Sequence, residues 1–120
     1  MGNMKETHTG GCHCGAVVFT AEMDATEEAL ECNCSHCEKK GMLLSFIPET
    51  DFELIRGEEE LSEYRFNTKT IAHLFCGTCG VQAFGKGETP AGKMVAINLR
   101  CVDGVDVDAL PRKKVNGKDF

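Results

Sequence analysis

Thr70-Ile71-Ala72-His73-Leu74-Phe75 runs directly into Cys76-Gly77-Thr78-Cys79-Gly80, and Val81-Gln82-Ala83-Phe84 follows. β-Branched and aromatic residues on both sides of a glycine-containing turn read as strand, knuckle and returning strand. A Cys-x-x-Cys-Gly turn sets two sulfurs side by side, and the glycine lets the backbone aim N–H groups at them, as in a zinc knuckle. Working outward, Gly10-Gly11-Cys12-His13-Cys14-Gly15 is a second, tighter dyad flanked by glycines. The strand-like run Ala16-Val17-Val18-Phe19-Thr20-Ala21-Glu22 follows it. Two dyads so far apart in the chain suit one closed, four-thiolate structural zinc held by Cys12, Cys14, Cys76 and Cys79. Such a staple turns metal-binding free energy into folding free energy, a large gain for a small β domain.

Between the dyads lies Cys32-Asn33-Cys34-Ser35-His36-Cys37, with three thiols inside six residues. Thiols this close do not pair sensibly with one another but can converge on one soft metal ion, which favours zinc over magnesium or calcium. Three protein ligands are one short of a tetrahedron, the pattern of catalytic zinc, so Cys32, Cys34 and Cys37 are the expected working site. Ser35 with Glu38 matches a capping box and Gly41 a C-cap, so one short helical turn is expected after the cluster. Cys37 would then lie where free backbone N–H groups favour a thiolate. The eighth cysteine, Cys101, reads as a buried or semi-buried thiol, with completion of the triad as the alternative. His13 and His36 read as spacers of tight turns that face solvent, and His73 as a core or rim histidine.

The chain has 120 residues and reads as one domain, residues 1–120, with one modest core. No apolar run approaches a membrane span, and the first eight residues lack the hydrophobic stretch of a secretory signal. A cytoplasmic protein is therefore expected. In that compartment eight cysteines point to metal ligands or reactive thiols, with disulfides as the alternative. The net charge of -6 becomes about -9 once a four-thiolate and a three-thiolate zinc are counted. So acidic a chain without a basic stripe repels phosphate backbones, so no nucleic-acid partner is expected.

The rest of the chain reads mostly as strands: Leu43–Ile47 before Pro48, Phe52–Ile55 before Gly57, Leu61–Phe66, and Met94–Leu99 with Val95, Ile97 and Leu99 on one face. Glu58-Glu59-Glu60 reads as a solvated turn, residues 85–92 as a loop and Val105–Phe120 as irregular coil.

The order Gly-Gly-Cys-His-Cys-Gly-Ala-Val-Val-Phe (10–19), Cys-Asn-Cys-Ser-His-Cys-Glu-Lys-Lys-Gly (32–41) and Phe-Cys-Gly-Thr-Cys-Gly (75–80) resembles the glutathione-dependent formaldehyde-activating enzyme family, which includes centromere protein V. Asn-Leu-Arg-Cys-Val-Asp-Gly-Val-Asp (98–106) also resembles it. The resemblance implies a mainly β fold of antiparallel sheets arranged as a tent, with Cys12, Cys14, Cys76 and Cys79 at a structural zinc and Cys32, Cys34 and Cys37 at a catalytic one. It implies a carbon–sulfur lyase that condenses glutathione or a related thiol with formaldehyde or another aldehyde. Lys39, Lys40 and Arg100 are cations available to substrate carboxylates or to solvent. The competing expectations are a non-enzymatic thiol carrier using the same zinc, and a zinc-stapled interaction module. A partly empty triad would leave its thiolates open to oxidation.

Overall fold

Every second residue of Val18–Met23 is buried, with Phe19, Ala21 and Met23 pointing one way and Glu22 left exposed. That alternation fixes the strand face that meets the rest of the molecule. A computed structural model describes residues 5–24, 28–32, 39–64, 71–90 and 92–115, and shows two sheets packed on this face. The smaller sheet has the order β1 (Glu6–Gly11), β2 (Val18–Met23), β5 (Phe52–Arg56), all antiparallel. The larger joins seven strands in the order β10 (Arg112–Val115), β3 (Ala29–Cys32), β4 (Leu44–Pro48), β9 (Gly92–Asn98), β8 (Phe84–Thr89), β7 (Ile71–Cys76), β6 (Leu61–Tyr64). The expected mainly β, antiparallel architecture is what the described residues form.

Three phenylalanine rings join the two sheets. Phe84 of β8 lies 4.7 Å from Phe52 of β5 and 5.9 Å from Phe19 of β2, and Phe19 and Phe52 are 5.4 Å apart. Val17, Ile47, Val95, Ile97 and Leu99 pack into the same core. On the opposite face of the large sheet, Met42, Leu44, Leu30 and Ala96 form a second, smaller apolar cluster that seats the start of β4 against β3.

Four segments depart from the sequence expectation, the first being the returning strand expected over Val81–Phe84: residues 81–83 are not strand and β8 begins only at Phe84. Residues 85–92 are not a loop: β8 extends to Thr89 and pairs with both β7 and β9. Its glycines carry little strand propensity, but a central position satisfies its backbone on both sides, and tertiary pairing outweighs propensity. At Gly85 the absence of a Cβ leaves room beside the Ala72 carbonyl, which an added Cβ would meet at 3.1 Å. The tail is not irregular throughout, since Arg112–Val115 pairs with Ala29–Cys32 as the one parallel ladder among the described strands. It lies at a sheet edge, where charged residues are favoured because they discourage pairing with other chains. Finally, β1 adds an N-terminal strand that was not anticipated.

Lys39 and Lys40 are helical and Gly41 follows at φ 65°, the left-handed conformation of a glycine C-cap, as expected. The proposed cap at Ser35, with His36 and Glu38, lies outside the described residues. Among the described residues no helix is long and apolar enough to cross a membrane.

Candidate metal centre

Two cysteine turns meet at one end of the sandwich. The first, Cys12–Val17, joins β1 to β2 and is closed by Cys12 N donating to the Val17 carbonyl at 3.1 Å. The second, Cys76–Val81, leaves β7 and is closed by Cys76 N donating to the Val81 carbonyl at 3.0 Å. Each ends its cysteine motif on a glycine in the left-handed region, Gly15 at φ 83° and Gly80 at φ 82°, which explains the Cys-Gly pairs in the sequence. In each, backbone N–H groups donate to the leading sulfur: Val17 N to Cys12 Sγ at 3.3 Å, and Thr78 N and Cys79 N to Cys76 Sγ at 3.4 and 3.5 Å.

The four sulfurs of Cys12, Cys14, Cys76 and Cys79 all lie within 4.8 Å of one another. Cys12 and Cys14 are separated by 3.6 Å and Cys14 and Cys76 by 3.7 Å. A zinc–sulfur bond of about 2.3 Å gives a tetrahedron with an edge of about 3.8 Å, so these separations fit an ion of zinc's size at the centre. They are far from a disulfide bond of about 2.05 Å, and Cys12, Cys14, Cys76, Cys79 and Cys101 are free, so the disulfide alternative is not realised among these five.

The local field prepares thiolates unequally. The Val81 and Cys14 backbone N–H groups are the main causes holding Cys79 down to about 6. Burial pushes Cys12 up, but the Val17 N–H and the neighbouring Cys14 and Cys76 thiols outweigh it, and its net shift is downward. Cys14 receives a lowering bond from the Ala16 N–H, yet the adjoining sulfurs and desolvation drive it up to about 12. Four close sulfurs cannot all ionise cheaply without a cation among them. The pattern is that of a cluster completed by a positive ion.

A segment read as an unremarkable acidic turn braces both knuckles. Arg56 donates through Nε and Nη2 to the Gly15 carbonyl, each at 3.2 Å. Gly57, at φ 99°, packs its backbone on Val17 Cα and the Ala16 carbonyl, where no Cβ fits. Glu60 accepts from Gly77 N through its carbonyl at 2.7 Å and from Thr78 Oγ1 through its carboxylate at 2.9 Å. Only the positive-φ glycine left a signal in the sequence.

The sequence of residues 7–117 matches the family of glutathione-dependent formaldehyde-activating enzymes. The chain belongs to that family. A crystal structure of a Rhodobacter sphaeroides protein is similar to it at 30% identity and a TM-score of 0.76, over 88% of this chain and 99% of that one. In this member of the glutathione-dependent formaldehyde-activating enzyme family the first and third cysteine motifs of the chain converge on one centre.

The second motif is placed only in part. Cys32 ends β3, in register with Val115 of β10, while Cys34 and Cys37 lie outside the described residues. Cys101 is half-buried, donates its S–H to the Gln82 carbonyl at 3.8 Å, and is pushed up to about 11 by burial and by the charges of Cys12 and Cys79. It sits beside the four-sulfur cluster, a semi-buried thiol as expected. His13 is exposed, and His73 is 8% exposed with its Nδ1 3.4 Å from Gln82 Nε2. Both match their expected roles as spacer and rim histidine.

Proposed function

We propose that this protein is a zinc-dependent carbon–sulfur lyase working in the synthetic direction, joining glutathione or a related thiol to formaldehyde as S-(hydroxymethyl)glutathione. The observation that carries the reading is the family match from residue 7 to residue 117, which runs through all three cysteine motifs, two of which meet in a metal-ready cluster. On this reading Cys12, Cys14, Cys76 and Cys79 hold a structural zinc, and Cys32, Cys34 and Cys37 hold a second. Zinc at a three-thiolate site supplies an open position and a positive charge that favours the thiolate form of an incoming thiol.

In the reaction the sulfur lone pair of glutathione forms the new C–S bond at the formaldehyde carbon. The carbonyl π pair moves onto oxygen, and that oxygen takes up the proton the thiol gave up. No oxidant or reductant is needed. The chain's own contribution is positional: β3 carries Cys32, and the glycine-capped turn at Gly41 returns the chain from the cysteine motif to β4. Cytoplasmic residence, where glutathione is abundant, belongs to the same proposal.

Thiols add to formaldehyde readily without a catalyst, so the assay has to measure acceleration over a fast background. NMR exchange between glutathione, formaldehyde and their adduct, with and without zinc-loaded protein, makes that measurement. The control is folded Cys34→Ser. Acceleration that the control loses is expected. An unchanged rate with glutathione still bound would make the protein a carrier, and absence of both would refute the reading and favour a zinc-stapled interaction module.

A further inference from the structure

Strands β3 and β4 pair at one position only, Leu30 with Leu44. From there β4 runs on to Pro48, paired with β9 along its other side. Successive residues of a strand turn their N–H and C=O to opposite sides, which shows what the short pairing leaves open. Leu99 N donates to the Leu43 carbonyl at 2.7 Å, so Leu43 and Ser45 face β9 while Leu44 and Phe46 face β3. Ala29 N donates to the Pro111 carbonyl at 2.8 Å, so Ala29 faces β10 while Glu28 and Leu30 face β4. The next rung of the β3–β4 ladder would join Phe46 to Glu28, and it is not made.

A cleft of about 520 Å³ stands at this missing rung, lined by Glu28, Leu30, Ser45, Phe46 and Pro111. That is the size of a small-molecule pocket. Pro48, the next residue of β4 to face this way, has no N–H, so the edge offers one complete donor–acceptor pair, at Phe46. One rung suits a ligand of one or two peptide units rather than a long strand. Phe46 is 52% exposed, and its ring face attracts cations as well as apolar groups. Glu28 is the one charged residue of the lining. Arg112, which follows Pro111, faces Glu31 and Asp108 instead, and the residues before Glu28 are Ala25, Thr26 and Glu27, none of them a cation. A carboxylate, an exposed ring and an unpaired backbone N–H and C=O thus share one cleft. The free amino end of a short peptide complements all three: its ammonium group suits the carboxylate and ring, and its first peptide units supply the matching C=O and N–H.

We infer that the β3–β4 cleft binds a short peptide by its free amino terminus, the peptide backbone completing the missing rung at Phe46 and the ammonium group meeting the Glu28 carboxylate. No cysteine lines the cleft, so the inference stands apart from the thiol chemistry above.

The test titrates three probes into the metal-loaded full chain and follows backbone amide chemical shifts by NMR. The probes are alanyl-leucine amide, its N-acetyl form, which lacks the charge, and alanyl-N-methylleucine amide, which lacks the central N–H. The first should shift Glu28, Leu30, Ser45 and Phe46, and each modification should weaken binding about threefold or more, the scale of one hydrogen bond or exposed ion pair. Glu28→Gln should erase the advantage of the free amine over the acetylated peptide while keeping the penalty of N-methylation. Glu28 is exposed, so the variant is expected to fold, and its thermal midpoint checks this. No shifts at millimolar peptide, shifts confined to other residues, or equal affinity of the wild type for all three probes overturns the inference. So does a Glu28→Gln protein that still prefers the free amine. Shifts at the same residues that grow with protein concentration in the absence of peptide would show that a second copy of the chain covers the cleft, and also overturn it.

Discussion

Replacing Cys76 by serine should abolish metal binding at the four-sulfur centre and remove a substantial part of the domain's net stability. Cys76 is the most buried of the four ligands, at 1% exposure, and its sulfur receives N–H groups from Thr78 and Cys79 while standing 3.7 Å from Cys14 Sγ. A serine oxygen is a hard donor on a shorter bond, so it neither reaches the centre nor replaces a thiolate there. Structural zinc contributes about 10–16 kcal/mol in apparent terms, against about 5–15 kcal/mol for the net stability of a whole domain. The centre joins turns 62 residues apart, but the Phe19–Phe52–Phe84 stack also holds the sheets together, so part of that contribution survives as packing. A loss of about 3 kcal/mol or more is expected, which lowers the thermal midpoint by about 10 °C or more. Calorimetry together with metal-to-protein ratios measured by mass spectrometry gives the answer. A Cys76→Ser protein that keeps its full metal content, or melts within about 2 °C of the wild type, would refute the assignment.

Three further outcomes follow from the same geometry. Gly57→Ala puts a Cβ against Val17 Cα at 2.7 Å in a backbone held at φ 99°, so it should destabilise by about 2 kcal/mol or more and speed metal loss to a chelator, read by denaturant melts and a colorimetric release assay. Phe84→Leu keeps most of the apolar volume but removes two ring contacts, so it should cost about 1–3 kcal/mol in chemical denaturation with metal content unchanged. Metal affinity should fall more steeply with acidity below about pH 6 than above it: Cys79, lowered from 9.0 to about 6, is already a thiolate between those values and competes with protons only below the lower one. Cys14, raised to about 12, must give up its proton to the metal throughout that range while Cys79 has almost none left to give, so uptake should release fewer than four protons at neutral pH, counted by calorimetry in buffers of different ionisation enthalpy.

The four-ligand centre was legible in the sequence because its signals are local: two cysteines and a glycine on one turn, twice over. Strand β2 was legible because Val17, Val18, Phe19 and Thr20 are β-branched or aromatic, and β9 because Val95 and Ile97 alternate with their neighbours. Strand β8 was not. Phe84-Gly85-Lys86-Gly87-Glu88-Thr89 has turn chemistry, and only pairing on both sides makes it a strand. Strand β10 is Arg-Lys-Lys-Val, a charged edge whose partner lies some 80 residues earlier, so no local pattern marks it. The brace at Arg56–Glu60 was hidden for another reason. Its contacts are largely to and from backbone carbonyls and amides, which leave no imprint on residue type. Glu60 looks like its two neighbours in sequence, and only the fold gives it Thr78 and Gly77 as partners.

A continuous path of hydrogen bonds leads from the four-sulfur centre to Gly41. Gln82 follows the second knuckle directly, and its carbonyl accepts from buried Asn98 Nδ2 at 2.9 Å. Asn98 N donates to the Ala83 carbonyl at 3.0 Å, Asn98 Oδ1 accepts from Arg100 N, and Arg100 Nε reaches Gly41. The knuckle therefore fixes the turn that presents Arg100, and through it the end of the 32–41 stretch. Truncating the middle of the path separates a structural link from mere proximity. Asn98→Ala leaves a buried carbonyl short of a donor and uncaps Arg100, so a loss of about 1–3 kcal/mol is expected. The four-sulfur centre does not depend on this side chain for any ligand, so its metal should stay bound. Amide hydrogen exchange should then quicken around Gly41 and Arg100 but not at Cys12–Val17 or Cys76–Val81. Equal quickening at the knuckles, or none at Gly41, would show that the two regions are held independently.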